Sequence, residues 1–148
     1  MQHFPSEAES FARLAAEGWT KVELPGFNSH VGPFWRRDTE DGSVAFALVT
    51  AERHHNSRHV MHGGALVAFT DFAIGQASRF HNNITRQATV QLDTNFIDAV
   101  HIGEVIEMTP ELVRATKSII FMRATLIVGD RVVATAQGVW KRLKAVTA

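Results

Sequence analysis

The stretch from Ala65 to Gly75 is apolar on nearly every side of the helix that it predicts. The only ionisable side chain within it is that of Asp71. A surface helix would show a single apolar stripe, so we predict a central helix over about 62–80 that the rest of the protein covers on most sides. Because a buried carboxylate needs a partner or a shifted pKa, Asp71 is the first candidate for chemistry. A purely structural partner for this acid is the alternative.

Two glycines, Gly63 and Gly64, stand in the first turn of this helix, directly after His62. Glycine costs a helix about 1 kcal/mol relative to alanine, so a pair of them indicates a need for space or close approach. The first N–H groups of a helix have no partner within it, and glycine lets a ligand come close to them. A steric requirement where helix meets sheet would explain the pair equally well.

Alternating polar and apolar positions predict strands on both sides of the central helix. Ser6 and Glu9 have the spacing of a capping box, which predicts a short helix over about 6–18. Pro110 indicates an edge or a bulge, and Gly129-Asp130 is a hairpin signal. The predicted strands cover 19–24, 30–37, 43–50, 88–97, 103–115, 119–128 and 132–143. Short connections predict an antiparallel meander curled around the helix, an α+β fold whose remaining apolar surface a second copy would cover.

The composition is typical of a globular protein with one domain. The chain has 148 residues, of which 45% are hydrophobic and 20% charged. Lys+Arg and Asp+Glu both number 15, so no nucleic acid or anionic membrane is predicted as a partner. No apolar stretch is long enough to span a membrane, and no signal peptide is visible. Since there is no cysteine, a reducing compartment is permitted, and we predict a cytoplasmic location.

The motif residues resemble those of a known enzyme family. Asn56, then His62-Gly63-Gly64, then Asp71, followed by Thr89 in the next strand, resemble the hotdog-fold acyl-CoA thioesterases, in particular the phenylacetate-degradation (PaaI-type) branch. The resemblance runs from about residue 27 to 143. It implies one hotdog thioesterase domain over 1–148 that hydrolyses acyl-CoA, needs no metal or organic cofactor, and assembles as a homodimer or a dimer of dimers.

The resemblance also implies roles for individual residues. The Gly63 N–H would polarise the thioester carbonyl, and Asp71 would act as nucleophile or general base. Asn56 would position substrate or water, and Thr89 would assist. The alternatives are a loop-capping role for Asn56 and an ordinary strand position for Thr89. We place four neighbours beside these residues: His62 as a catalytic candidate or a residue that orders the loop, and Gly64, Phe72 and Arg58 as substrate-binding candidates.

The spacing of the motif indicates a site shared between subunits. Gly63 and Asp71 are eight residues apart, which is about 12 Å along a helix axis and about 80° around it. One thioester carbon cannot lie within about 3 Å of both groups. If two such helices pack antiparallel across a twofold axis, Gly63 of one subunit can approach the acid of the other.

Other interpretations involve neighbouring residues. A metal site would need ligand spacing that the histidines of residues 54–62 lack, since no cysteine or suitably placed acid joins them; we predict no metal. A non-catalytic acyl-CoA binder on the same fold is the alternative function, whereas hotdog hydratases pair a catalytic His with an acid in a different motif. Further candidates are Arg53, Arg58 and Arg123 for CoA phosphates, and Phe69, Phe72, Phe80 and Phe96 for the acyl pocket.

Overall fold

The computed structural model describes residues 3–146 and consists of one antiparallel sheet and a long helix that packs on it. The predicted α+β class with a central helix is confirmed. In chain order the elements are α1 Glu7–Ala16, β1 Thr20–Val22, α2 Phe27–Val31, β2 Phe34–Asp38, β3 Val44–Val49, a 3-10 turn Glu52–His54, α3 Gly63–Asn82, β4 Gln87–Phe96, β5 Val105–Met108, β6 Glu111–Ala115, β7 Ile119–Val128 and β8 Arg131–Arg142.

The sheet is a meander except at β4, where the prediction is wrong. The strand order is β1-β2-β3-β5-β7-β8-β4, with β6 also paired to β7. Strand β4 therefore lies at one edge beside β8, and not beside β5, which follows it in sequence. The connection can cross the end of the sheet because Arg131 holds it, with contacts of 2.9 Å to Asp98 and 2.8 Å to Glu104.

Two further boundaries differ from the sequence expectation. The strand predicted over 103–115 is interrupted at Pro110 into β5 and β6. Glu107 lies opposite Ile127 and Glu111 opposite Arg123, so the register on β7 continues across the interruption, and it shifts only between Leu112 and Arg114. Residues 27–31, of which 30 and 31 were expected to begin a strand, instead form α2. Val31 at the end of α2 is buried, so a single helical turn fills the core at this point. Strand β2 therefore begins only at Phe34.

Helix α3 buries one side fully and leaves the other partly accessible. Phe69, Ala73, Ile74 and Ala77 have no exposed surface and pack in the main core. Asp71, on the opposite side, is only partly buried. The burial predicted for most sides of α3 is thus incomplete in one chain, and the accessible side is the one that carries the acid.

The outer face of the sheet is covered at one end only. Strand β3 is buried along its whole length, because α3 covers one face and α1 the other. Leu14 of α1 packs there with Trp19 and Trp35 in a second, smaller core. This cover fixes the end of the sheet from which the loop to α3 emerges.

Candidate functional site

The loop before α3 is built around the side chain of Asn56. Its Oδ1 accepts the backbone N–H groups of Arg58 at 2.8 Å and Val60 at 3.4 Å. Its backbone carbonyl accepts from His59, which takes a positive φ of 56°. Asn56 therefore has the loop-capping role, which was predicted as the alternative to positioning substrate or water. Within its side chain, only Oδ1 takes part in this role. Among residues 3–146, none accepts a hydrogen bond from the Asn56 amide nitrogen.

The two glycines at the start of α3 have different surroundings. His62 is the N-cap, and its Nδ1 accepts the Gly64 N–H at 2.8 Å. The Gly64 N–H is thus not available to a substrate, so that part of the expectation for Gly64 is wrong. Within the described part of the chain, the Gly63 N–H has no acceptor. A Cβ at Gly63 would lie 3.2 Å from the ring of Phe96, and one at Gly64 3.0 Å from His62 Nδ1, which gives both glycines a steric reason as well.

His54 fixes the other end of this loop, a role that was not predicted from the sequence. Its Nδ1 accepts the Ala51 N–H at 3.0 Å, so the proton is on Nε2, which donates to the Val31 carbonyl at 2.7 Å. Its carbonyl accepts the His62 N–H at 2.7 Å. Burial lowers the pKa of His54, which keeps this ring neutral. Its position two residues before Asn56 was the only signal, and nothing in the sequence indicated burial.

The acid of α3 is held by the neighbouring edge strand. Thr89 Oγ1 of β4 donates to Asp71 Oδ1 at 2.8 Å, so the structure brings these two predicted residues together. The register of β4 on β8 shifts between Thr89 and Gln91, and this bulge sits next to the position that meets Asp71. The Oδ2 atom has no hydrogen bond to any described residue, and the acid is accessible from a cavity.

Two separate cavities divide the predicted site residues. Asp71, Thr89 and Phe72 line a cavity of about 370 Å³ beside the middle of α3. Asn56, Arg58 and Gly63 line another of about 500 Å³ at the start of the helix, together with Phe96. The two cavities have no lining residue in common. We call them the acid half and the donor half of the candidate site.

The remaining candidates separate clearly by their partners. Arg53 makes a two-bond ion pair with Glu7 at 3.0 Å, and Arg123 pairs with Glu111 at 2.9 Å, so both are structural. The Arg58 side chain makes no hydrogen bond or ion pair with residues 3–146. Of the phenylalanines, Phe72 and Phe96 line the two halves, Phe69 is in the core and Phe80 lines neither cavity.

Among residues 3–146, no three His, Cys, Asp or Glu side chains are grouped so that they could hold a metal ion. None of the helices in this range is long and apolar enough to cross a membrane.

This chain is similar in sequence to known proteins. A sequence model described as the thioesterase superfamily matches residues 59–136. A Pseudomonas aeruginosa protein named "Putative esterase PA0474" is 30% identical over 111 residues, which are 74% of this chain and 83% of the relative.

Two solved structures share the fold at lower identity. The phenylacetic acid degradation protein PaaI of Thermus thermophilus has a TM-score of 0.64 at 18% identity, over 89% of this chain and 99% of its own. The protein smu.793 of Streptococcus mutans, solved with acetyl CoA bound, has a TM-score of 0.70 at 18% identity, over 82% and 94%.

Proposed function

The chain belongs to the thioesterase superfamily and is a thioester hydrolase, and we propose that it hydrolyses acyl-CoA in sites that two subunits share. The observation that carries the proposal is the division of the motif between two cavities. One half holds a free helix N-terminal donor and the other an accessible carboxylate, so neither half alone contains the parts that acyl transfer to water needs. The whole chain would then be one hotdog domain.

In the proposed mechanism the donor half binds the thioester. The Gly63 N–H, at the positive end of α3, donates to the thioester oxygen and stabilises the charge that develops on it. The Asn56 amide nitrogen is the second donor free to meet substrate or water. The loop bonds to Asn56 Oδ1 and His62 Nδ1 fix both donors before substrate arrives, and such preorganisation is what an oxyanion site requires.

The partner subunit's Asp71 supplies the second half of the chemistry. Its Oδ2 either attacks the carbonyl carbon or removes a proton from the attacking water. The C–S bond breaks, CoA leaves as the thiol after protonation, and water supplies the oxygen of the free acid. Thr89 occupies Oδ1 by its hydrogen bond, which orients the carboxylate and leaves Oδ2 for the reaction. Both the nucleophile and the general-base routes remain open to this geometry.

The edge strand β4 offers the surface on which the two subunits would meet. Among residues 3–146 no strand pairs with its outer edge, and Val90 and Phe96 of β4 are 60% and 59% exposed. An open apolar strand edge is a template for pairing with another chain. Thr89 of the acid half and Phe96 of the donor half lie near opposite ends of β4, so antiparallel pairing of two copies would bring unlike halves together.

The proposal has three finer parts: a contact of Arg58, the assembly and the location. Arg58, which is unpaired in the donor half, would contact a CoA phosphate. The structure of smu.793, which has acetyl CoA bound, supports CoA as a ligand of this fold. The dimer of dimers and the cytoplasmic location stay predictions. Mass photometry of the purified protein would measure the assembly directly.

The test is the release of free CoA thiol from aryl, short-chain and long-chain acyl-CoAs by purified protein in EDTA. We expect turnover of at least one acyl-CoA without added metal. Loss of activity in EDTA that a divalent ion restores would overturn the metal-free mechanism. Saturable binding of acyl-CoA with no thiol release would replace the enzyme by the non-catalytic binder, and activity only on esters or other thioesters would overturn the proposed substrate class.

A further inference from the structure

The acid half contains one cation. Arg79 of α3 lines the same cavity as Asp71, and it is the only Lys, Arg or His side chain among the lining residues. The guanidinium of Arg79 lies about two helical turns beyond Asp71, and the proposed mechanism gives it no role.

Arg79 lacks the partners that other arginines of this chain have. Its Nε is buried and makes no hydrogen bond, and among residues 3–146 no carboxylate pairs with its guanidinium. Arg53 and Arg131, in contrast, both form close ion pairs with acids. A hydrogen-bond donor of a charged group is costly to leave buried without an acceptor, and the partly buried Arg79 meets this cost at Nε while it lines the cavity. Its guanidinium is therefore the cation in the acid half that is open to an acceptor from a ligand.

The cavity runs from the acid to the arginine along one side of α3. Asp71, Gly75 and Arg79 follow at four-residue intervals, so each is turned about 40° around α3 from the one before, with about 12 Å of rise between the first and the last. Long helical side chains point back toward the helix N-terminus, which directs the guanidinium toward Gly75. Between the two charged groups, the missing side chain of Gly75 leaves the passage open.

The wall beside this passage is fixed by hydrogen bonds of Gln87 to α3. Gln87 Nε2 donates to the Gly75 carbonyl at 2.7 Å, and Gln87 Oε1 accepts from Ser78 Oγ at 2.8 Å. A Cβ at position 75 would lie 3.5 Å from Gln87 Nε2 and 3.6 Å from Trp140 Nε1. The amide and the indole therefore define a narrow slot, with a carboxylate at one end and a guanidinium at the other.

From this arrangement we propose that the acyl group of the substrate carries a carboxylate at its far end, which Arg79 binds. The inference rests on the proposed acyl-CoA hydrolysis. With the thioester at Asp71, an acyl chain that follows the slot places its far end at Arg79, away from the negative charge of the acid. A guanidinium recognises a carboxylate through paired, charge-assisted hydrogen bonds, whereas a neutral acyl chain offers it no charged partner.

The test compares adipyl-CoA with hexanoyl-CoA, which have acyl chains of equal length and differ in the terminal carboxylate. We expect kcat/KM of the wild type to be at least about tenfold higher for adipyl-CoA. In Arg79→Gln the ratio of the two kcat/KM values should fall about 10- to 100-fold, the range of a hydrogen bond to a charged group. Arg79→Lys should retain part of the preference. Arg114→Gln, an exposed arginine on the other face of the sheet, should leave the ratio unchanged.

Each outcome decides the inference separately from the proposed function. A wild type that hydrolyses hexanoyl-CoA as well as adipyl-CoA, or better, overturns the role of Arg79 and leaves the thioesterase proposal standing. An equal loss for both substrates in Arg79→Gln also overturns it, because Arg79 would then bind CoA or maintain the fold. If no acyl-CoA is hydrolysed, the proposed function itself fails. Should Arg79→Gln not fold, the wild-type ratio alone still decides.

Discussion

The donor half and the acid half of the candidate site are held in place in different ways. The donor half depends on a loop. Side-chain atoms of Asn56, His62 and His54 accept hydrogen bonds from backbone N–H groups there. The acid half depends on a regular helix and one side-chain bond, from Thr89 to Asp71. The direction of a backbone N–H is set by the conformation of the backbone on both sides of it. A side-chain carboxylate, in contrast, is positioned by the helix that carries it.

This difference separates stability from activity. Changes in the donor half should affect both the free energy of unfolding and catalysis, since the same bonds shape the loop and aim the donor. Changes in the acid half should affect catalysis almost alone.

The largest expected effect is that of Asp71→Asn. The amide oxygen can still accept from Thr89, so the free energy of unfolding should change by less than about 1 kcal/mol. Turnover should fall at least about 100-fold, because a general base contributes about 10²–10⁴. Steady-state thiol release and urea unfolding measure the two quantities, and Asp130→Asn in the exposed β7–β8 turn is the matched control. Near-normal turnover would remove the acid from the mechanism.

Asn56→Asp tests whether the donor half can be split into its two functions. Aspartate keeps the acceptor for the Arg58 and Val60 N–H groups but lacks the free amide donor. We expect turnover to fall at least about tenfold while the melting temperature stays within a few degrees of the wild type. Asn56→Ala loses acceptor and donor together, so it should lose stability as well. Equal melting temperatures for the two variants would show that Oδ1 does not shape the loop.

Much of the fold was predictable because its signals are local. The apolar run around Asp71 predicts α3, the alternation of 43–50 predicts β3, and Ser6 predicts the start of α1, whose capping box is present. Strand β4 was placed wrongly because the residues of its partner, β8, lie 38 to 55 positions away in sequence. A pattern within a strand specifies which face is apolar but not which neighbour it pairs with.

The site was predictable as a set of residues but not as a set of hydrogen bonds. The motif identified Asp71 and Thr89, which do meet. It could not assign the Gly64 N–H to His62 rather than to a ligand, because two adjacent glycines look alike in sequence. Arg79 follows Asp71 by two steps of four residues, with Gly75 between them. This spacing is the signal in the sequence that relates Arg79 to the acid.

A smaller effect compares the caps of two helices. His62→Ala removes the acceptor of the Gly64 N–H, and Ser6→Ala removes the equivalent acceptor of α1. Each should lower the free energy of unfolding by about 1 kcal/mol, seen as a drop of a few degrees in melting temperature. Only His62→Ala should also lower kcat, because only that cap adjoins the free donor. A kcat that is unchanged in His62→Ala would show that the cap does not aim Gly63.

The smallest effect is a pH dependence of stability from His54. Burial lowers its pKa in the folded protein, so the unfolded chain binds a proton below about pH 6.5 while the folded chain does not. The free energy of unfolding should therefore fall as the pH drops from 7 toward 5.5. Urea unfolding at both values should show a weaker dependence in His54→Gln, and an unaltered one in His30→Gln, which changes an exposed histidine. An equal dependence in His54→Gln would contradict this origin.

The central claim, that the two halves of each site come from different subunits, is tested most directly by mixing two inactive variants. Gly63→Pro removes the free N–H, and His62 before it already has the extended backbone that proline requires, with ψ of 132°; the added ring has to be accommodated by Phe96, which a Cβ at this position would approach to 3.2 Å. Asp71→Asn removes the acid. Each variant must fold alone, and heterodimers must be demonstrated after co-expression.

A heterodimer of these variants has one site with both defects and one with neither. With random assortment half of the dimers are heterodimers, so the mixture should recover about a quarter of wild-type activity, and neither parent alone should recover any. Verified heterodimers that remain as inactive as their parents would contradict the shared site.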